Sequence, residues 1–171
     1  MFIKSIEELD AVRTRCRSMV KKRALASGGM ALLPVPGVDI AADVGLLLEL
    51  LPAVNRQFRL TPEQIDQLDS QLKSFLYGVI KTTGSRVAGQ LVTRQLVLNL
   101  LQKMGIRLTA KQGLKFIPFA GQAAAVAISG SAMLLIGYAH IEECYAIAKQ
   151  GLEYKALSGP SAATELSEIQ P

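Results

Sequence analysis

The only histidine of the chain, His140, is followed closely by two further potential metal ligands, Glu143 and Cys144. On a helix the spacing i, i+3, i+4 places these three side chains on one face, and imidazole, carboxylate and thiolate all bind zinc. The alternative is a helix that simply leaves an apolar stretch and enters polar sequence. We favour that interpretation, because no second His or Cys cluster would complete a coordination shell, and we predict no metal and no cofactor.

Asp39 and Asp43 lie one helical turn apart and form the second candidate, a pair of carboxylates suited to acid–base chemistry. The alternative is that Asp39 caps a helix and Asp43 pairs with a Lys or Arg. With one His and no GxSxG motif, the chain lacks a nucleophile–base set. It also lacks the GxxxxGK[ST] loop that binds nucleoside triphosphates. We therefore predict no catalytic residues and no enzymatic activity, and an enzyme built on these carboxylates and His140 is the third-ranked hypothesis.

Basic side chains cluster directly before the first apolar stretch, and the chain carries a net charge of +5. Cations in this position are typical of the cytoplasmic side of a membrane, where they contact anionic lipid. The alternative is a solvated helix face. Nucleic-acid binding is not expected, because the sequence has neither aromatic platforms nor a known nucleic-acid module. The predicted lipid-contact residues are Arg13, Arg15, Arg17, Lys21, Lys22 and Arg23.

The composition is unusually apolar: 50% of the residues are hydrophobic and 19% are charged, against about 25% charged in an average globular chain. Either the core is large or part of the surface faces lipid or a partner. The two cysteines are far apart and fit neither a disulfide framework nor a zinc site, so we expect a reducing, cytoplasmic environment. The acidic, amphipathic start of the chain is not a signal peptide.

Helical periodicity dominates the sequence. It predicts an all-α fold, a bundle of about five to six helices in one domain over residues 1–157, with a disordered tail over 158–171. A capping box of Ser5 and Glu8 begins the first helix, and a second one of Thr61 and Gln64 begins another. Pro52 should kink or divide its helix. Helices are expected near 6–32, 40–58, 62–82, 86–104 and 121–157.

Two similar breaks precede the two apolar helices at the predicted centre of the bundle. Each has a Pro followed by Gly and then an Ala- and Val-rich helix, which predicts a pseudo-symmetric pairing of residues 39–51 with 122–135. Small side chains in both segments would let the backbones approach closely, in membranes or in a soluble core. The residues that form the breaks are Pro34, Pro36, Gly37, Pro118 and Gly121.

The segment 116–141 contains no Asp, Glu, Lys or Arg and exceeds the roughly 20 residues that a membrane span needs. Its Gln, Ser and His residues and its many Ala and Gly residues argue against insertion. The first apolar segment holds three acidic residues, each costing about 2.5–3.5 kcal/mol at mid-bilayer. Integral insertion of 116–141 is one interpretation. We slightly favour a helical domain with a buried central hairpin that meets the membrane peripherally.

The stretches MALLPVPGVDIAADVGLLLELLPAVNRQFRLTPEQIDQL and RLTAKQGLKFIPFAGQAAAVAISGSAML resemble the helical domain of immunity-related GTPases and their YcjF-like relatives. The second is also similar to EcsC-like helical proteins. The resemblance covers about 70 central residues in two blocks and implies an all-α, membrane-associated domain, often coupled to a GTPase. The nucleotide domain is missing from this sequence, and no catalytic residue carries over.

The leading hypothesis is therefore a non-enzymatic, membrane-associated helical module at the cytoplasmic face of the membrane. It would act as an accessory to a separate GTPase or to another membrane protein. The alternative is a soluble helical interaction protein, either a partner or an immunity-type inhibitor that buries an apolar groove against another chain. In both cases the partner is a membrane surface or another helical protein, and a homo-oligomer is a further alternative.

Overall fold

The computed structural model describes residues 2–30, 38–103 and 120–158, with side chains described for 2–26, 43–101 and 133–158. These residues form α-helices joined by turns, and no β-strand occurs among them. The all-α prediction is therefore confirmed. The helices are α1 (Ile6–Met30), α2 (Val38–Gln57), α3 (Pro62–Asp66), α4 (Ser70–Thr83), α5 (Arg94–Lys103) and α6 (Ala120–Leu157).

The antiparallel pair of α1 and α6 is the most extensive helix contact in the described part of the chain. The two backbones approach closely where Gly137 of α6 faces Val20 of α1, because a Cβ atom at position 137 would lie only 2.6 Å from the valine side chain. Helix α2 packs against both members of this pair. Helix α2 contacts α6 through Asn55 and His140, and the predicted pairing of residues 39–51 with 122–135 stays a prediction, because most of the side chains of 122–135 lie outside the described part.

The core is lined by α1 at helical spacing, with Leu9, Val12, Cys16 and Val20 all buried. These positions form one stripe, as expected for an amphipathic helix that covers a core. The residues before α1 belong to the core as well: Phe2 and Ile3 are buried, and Phe2 lies beside Gly151 near the end of α6.

The single helix predicted over 62–82 is divided in the structure. The capping box of Thr61 and Gln64 is confirmed, but α3 ends at Asp66 and α4 begins at Ser70. Asp69 caps α4, with its carboxylate accepting a hydrogen bond from the Leu72 N–H at 2.9 Å. A short polar side chain that bonds to its own backbone competes with a continuous helix, which explains the division.

The prediction of a helix from residue 86 is wrong at its start, because α5 begins only at Arg94. The preceding residues form a turn in which the Ser85 hydroxyl accepts hydrogen bonds from the Val87 and Ala88 N–H groups. Gly89 has a φ of 68°, a left-handed conformation that glycine adopts readily. Its N–H donates to the Leu60 carbonyl at 2.9 Å, which ties this turn to the end of the α2–α3 connection.

Helix α2 differs from its prediction at two points. Val38 is already helical, so Asp39 lies inside the first turn and is not the N-cap. An acidic residue in the first turn is favoured by the positive end of the helix dipole. Pro52 lies within α2 but does not divide it, and the helix continues to Gln57.

Several predictions fall outside the described residues, namely the breaks at Pro34, Pro36, Gly37 and Pro118 and nearly all of the tail after residue 157. Gly121 is the second residue of α6, so the long last helix begins where it was predicted. Across residues 2–30, 38–103 and 120–158, no helix combines the length and apolar character needed to span a membrane.

Candidate functional site

The six predicted lipid-contact cations all lie on α1, and the structure separates them into two groups. Arg13, Arg17 and Arg23 form ion pairs with carboxylates of neighbouring helices. Arg15, Lys21 and Lys22 are exposed, and none of them forms an ion pair with the described part of the chain. The six cations form one basic run in the sequence, but three of them form contacts within the protein.

Glu142 of α6 holds the first two arginines. Arg13 binds both of its carboxylate oxygens, with Nε 3.0 Å from Oε1, and Arg17 Nη2 lies 2.8 Å from Oε1. Burial alone would raise the pKa of Glu142, but the hydrogen bonds and charges of the two arginines outweigh it and lower this pKa. The hydrogen bond to Glu142 correspondingly raises the pKa of Arg13.

Two tyrosines of α6 extend this contact. The Arg13 guanidinium lies 4.7 Å from the ring centre of Tyr145, and the Arg17 guanidinium lies 5.8 Å from that of Tyr138. Both distances suit cation–π interactions. The Tyr145 hydroxyl donates to Asp10 at 2.8 Å. These two arginines are therefore structural links between α1 and α6.

Arg23 is held by α2, where its Nη1 lies 2.6 Å from Glu49 Oε2. This contact joins the end of α1 to the middle of α2. Glu49 was one of the acidic residues that argued against insertion of the first apolar segment, and it is 64% exposed. The pair belongs to the surface of the helix bundle.

The exposed cations share one face of α1. Residues 15 and 22 are seven positions apart, almost two full turns, so Arg15 and Lys22 project in nearly the same direction. Lys21 lies beside Lys22, and Leu25 follows one turn later with 78% of its side chain exposed. We call Arg15, Lys21, Lys22 and Leu25 the basic face. It combines cationic side chains with one large apolar side chain in water.

An open apolar groove lies between α1 and α6, next to the ion pair of Arg17 and Glu142. Its volume is about 420 Å³, and its apolar lining comes from Leu134, Leu135 and Tyr138 of α6. Leu135 is 52% exposed. The groove is therefore a second place where this helix pair presents apolar surface to solvent.

His140 lies at the centre of a buried polar cluster, and its side chain is only 4% exposed. Its Nε2 lies 2.9 Å from Asn55 Oδ1, and the Asn55 amide donates to the Val87 carbonyl at 2.8 Å. Because the Asn55 oxygen can only accept, this contact requires a hydrogen on Nε2. The histidine thus connects α6 to α2 and, through Asn55, to the turn before α5.

Glu143 closes the other side of this cluster. Its Oε2 lies 3.4 Å from His140 Nδ1, and Ser85 is a second side chain that interacts with it. Burial alone would raise the pKa of Glu143, but the hydrogen bonds from His140 and Ser85 lower it. Asn55 and Ser85 could not be recognised from the sequence, because they lie on other elements and are polar residues of ordinary context.

The predicted one-face arrangement of His140, Glu143 and Cys144 is present on α6, but it does not form a metal centre. No group of three or more His, Cys, Asp or Glu side chains within the described ranges is arranged to hold a metal ion. Cys144 instead lies 3.5 Å from both Asn55 Oδ1 and His140 Nε2. Burial raises the pKa of its thiol, and raises that of Cys16 to about 11.

Both residues of the predicted carboxylate pair lie in α2, one helical turn apart, and Asp43 is the one whose side chain the structure describes. Asp43 is buried, with 6% of its surface exposed, and it interacts with neighbouring groups. The side chain of Asp39 lies outside the described part. The acid–base interpretation of this pair therefore stays a prediction.

No protein-family model, curated protein or solved structure matches this chain. The resemblance to the helical domain of immunity-related GTPases stays a prediction.

Proposed function

We propose that the protein is a non-enzymatic helical module that binds an anionic membrane surface through the basic face of α1. The observation that carries this proposal is the exposure of Arg15, Lys21 and Lys22 on one helix face, without ion pairs among the described residues. Each such cation contributes about 1 kcal/mol of attraction near an anionic bilayer. The binding mode is peripheral.

The internal chemistry supports a non-enzymatic role. The imidazole of His140 is buried and its Nε2 hydrogen is used by Asn55, so the ring is engaged in joining helices. Cys16 and Cys144 are buried with raised thiol pKa values, which disfavours the reactive thiolate form at neutral pH. These groups stabilise the bundle in our proposal and do not meet a substrate.

A GTPase or another membrane protein as partner, and a location at the cytoplasmic face of the membrane, belong to the same proposal. The GTPase rests on the sequence resemblance alone. The second candidate function is a helical interaction protein, and the apolar groove of Leu134, Leu135 and Tyr138 favours it. In that case the occupant of the groove is a side chain of another protein.

Flotation with vesicles tests the proposal. The protein should float with vesicles of phosphatidylserine and phosphatidylcholine, remain at the bottom with phosphatidylcholine alone, and dissociate as salt screens the charges. Its absence from both lipid fractions would exclude the membrane proposal. In that outcome, a defined complex or oligomer in detergent-free size-exclusion chromatography would favour the interaction protein.

A further inference from the structure

Leu25 is an exposed leucine that follows two exposed lysines. It lies three residues after Lys22 and four after Lys21, so all three side chains share a face of α1. Lysine side chains can hold an ammonium group at headgroup level while their methylene chains follow apolar surface. A leucine in this position is therefore placed to reach deeper than the lysines beside it.

Leu135 lies on the same side of the helix pair. Arg17, Lys21 and Leu25 follow one another at four-residue intervals along α1, and Arg17 lines the groove together with Leu135. The antiparallel register places Val20 opposite Gly137. Leu135 is thus level with residues near Lys22, about 5 Å along the axis from the level of Leu25.

We propose that Leu25 and Leu135 insert into the acyl boundary of an anionic bilayer while Lys21 and Lys22 contact the phosphate groups above it. This inference rests on the proposed function and adds the residues that enter the membrane and the orientation that they impose.

Charge complementarity favours lipid over a second protein as the partner that contacts Leu25 and Leu135. The two leucines are separate tips, the ammonium groups of Lys21 and Lys22 lie beside Leu25, and a bilayer offers both the anionic layer and the apolar layer that this arrangement requires. The end of α1 and the Leu135 region of α6 would face the membrane. The far end of α6, at Leu157, would point away from it.

Tryptophan substitution tests this geometry directly, because the chain has no Trp of its own. In Leu25→Trp and Leu135→Trp the single indole reports its surroundings at that position. On phosphatidylserine-containing vesicles we expect a blue-shifted emission and quenching by brominated acyl chains for both variants. Leu157→Trp is the matched control, since Leu157 is 76% exposed on α6 and about 33 Å along the helix from Leu135.

A second pair of variants measures the contribution to binding. Leu25→Ala and Leu135→Ala keep every cation and should each weaken the vesicle affinity about tenfold, as expected for partial burial of one leucine. Leu157→Ala should bind as the wild type does. Thermal unfolding of each variant without vesicles establishes that the fold is retained.

The outcomes distinguish this inference from the proposed function. If the protein binds anionic vesicles but the indoles at 25 and 135 report water, insertion is wrong and a purely electrostatic contact remains. If the emission of these indoles shifts with protein concentration in the absence of vesicles, the leucines contact a second copy of the chain and the lipid assignment is overturned. If the protein does not bind anionic vesicles at all, both proposals fail together.

Discussion

His140 and Asn55 are joined by a buried hydrogen bond of 2.9 Å between Nε2 and Oδ1, which links α6 to α2. Asn55 in turn donates to the Val87 carbonyl, so one amide side chain forms hydrogen bonds with both the buried histidine and the turn before α5. Buried polar groups in such an arrangement are costly to leave without partners. This cluster therefore fixes how the long helices meet, and it explains why the only histidine of the chain is buried.

Replacing the amide should have a large effect on stability. In Asn55→Ala the buried His140 Nε2–H and the Val87 carbonyl lose their partners, and we expect a loss of about 2–4 kcal/mol in the free energy of unfolding. Urea denaturation measures this loss. Asn99→Ala, at an exposed position of α5, should change stability by less than about 0.5 kcal/mol. Equal effects of the two substitutions would show that the cluster contributes little.

The contact of Glu142 with Arg13 and Arg17 should make stability depend on pH. The pKa of Glu142 in the folded chain lies below its ordinary value of 4.5. A lowered carboxyl pKa adds stability that is fully present above the unfolded value and is lost as the pH falls through the folded value. Glu142→Gln should therefore destabilise the protein by about 1 kcal/mol near pH 7, and by less and less below pH 4.

Glu153→Gln is the control for this effect, because Glu153 lies on the same helix with only a 3.8 Å pair to Lys149. Chemical denaturation at a series of pH values compares the two substitutions. A difference between wild type and Glu142→Gln that stays constant from neutral pH to pH 3 would contradict the assigned role.

Replacing either of two helical glycines by alanine should change the stability of the protein, and the two changes should have opposite signs. In Gly137→Ala the new Cβ would meet Val20 at 2.6 Å, and we expect a loss of about 1–3 kcal/mol from overpacking. Gly78 of α4 has no neighbour within 4 Å of that position, so Gly78→Ala should stabilise by about 0.5–1 kcal/mol.

A compensating change tests the cause of the first effect. Val20→Ala makes room for the added methyl group, so the double variant with Gly137→Ala should lose less stability than the sum of the single changes. If the stability loss of the double variant in thermal or urea unfolding equals the sum of the two single losses, the two positions are not in contact.

The thiols should be inert in the native protein. Cys16 and Cys144 are fully buried, and the pKa of Cys16 is raised to about 11, so little thiolate is available at neutral pH. Iodoacetamide labelling followed by mass spectrometry should therefore show modification only after denaturation. Rapid labelling at pH 7 under native conditions would contradict this burial.

Local signals in the sequence predicted much of the fold. The capping box of Thr61 and Gln64 and the apolar periodicity of the last helix depend on residues a few positions apart, so they can be recognised without tertiary information. The sequence does not indicate the division at Asp69, because after the strong helix start at Thr61 an aspartate also suits a polar position of one longer amphipathic helix.

The site was less predictable because it depends on contacts between distant residues. Six cations form a single run in the sequence. Two of them form ion pairs with Glu142, which is more than 120 positions away, and a third forms an ion pair with Glu49. Ser85 and Asn55 likewise gain their roles only when α2, α6 and the turn before α5 meet. The basic face could be identified only after these pairings were known.

Vesicle affinity of a three-cation variant is the most direct measurement of the central claim. Arg15→Ala/Lys21→Ala/Lys22→Ala removes the three cations of the basic face. A loss of about 1 kcal/mol of binding free energy for each cation predicts a roughly 100-fold weaker affinity for phosphatidylserine-containing vesicles. Lys81→Ala/Arg86→Ala/Lys155→Ala removes the same charges from exposed positions elsewhere and should retain most of the affinity. Equal losses in the two variants, or none in the first, would contradict the assignment of membrane binding to the basic face of α1.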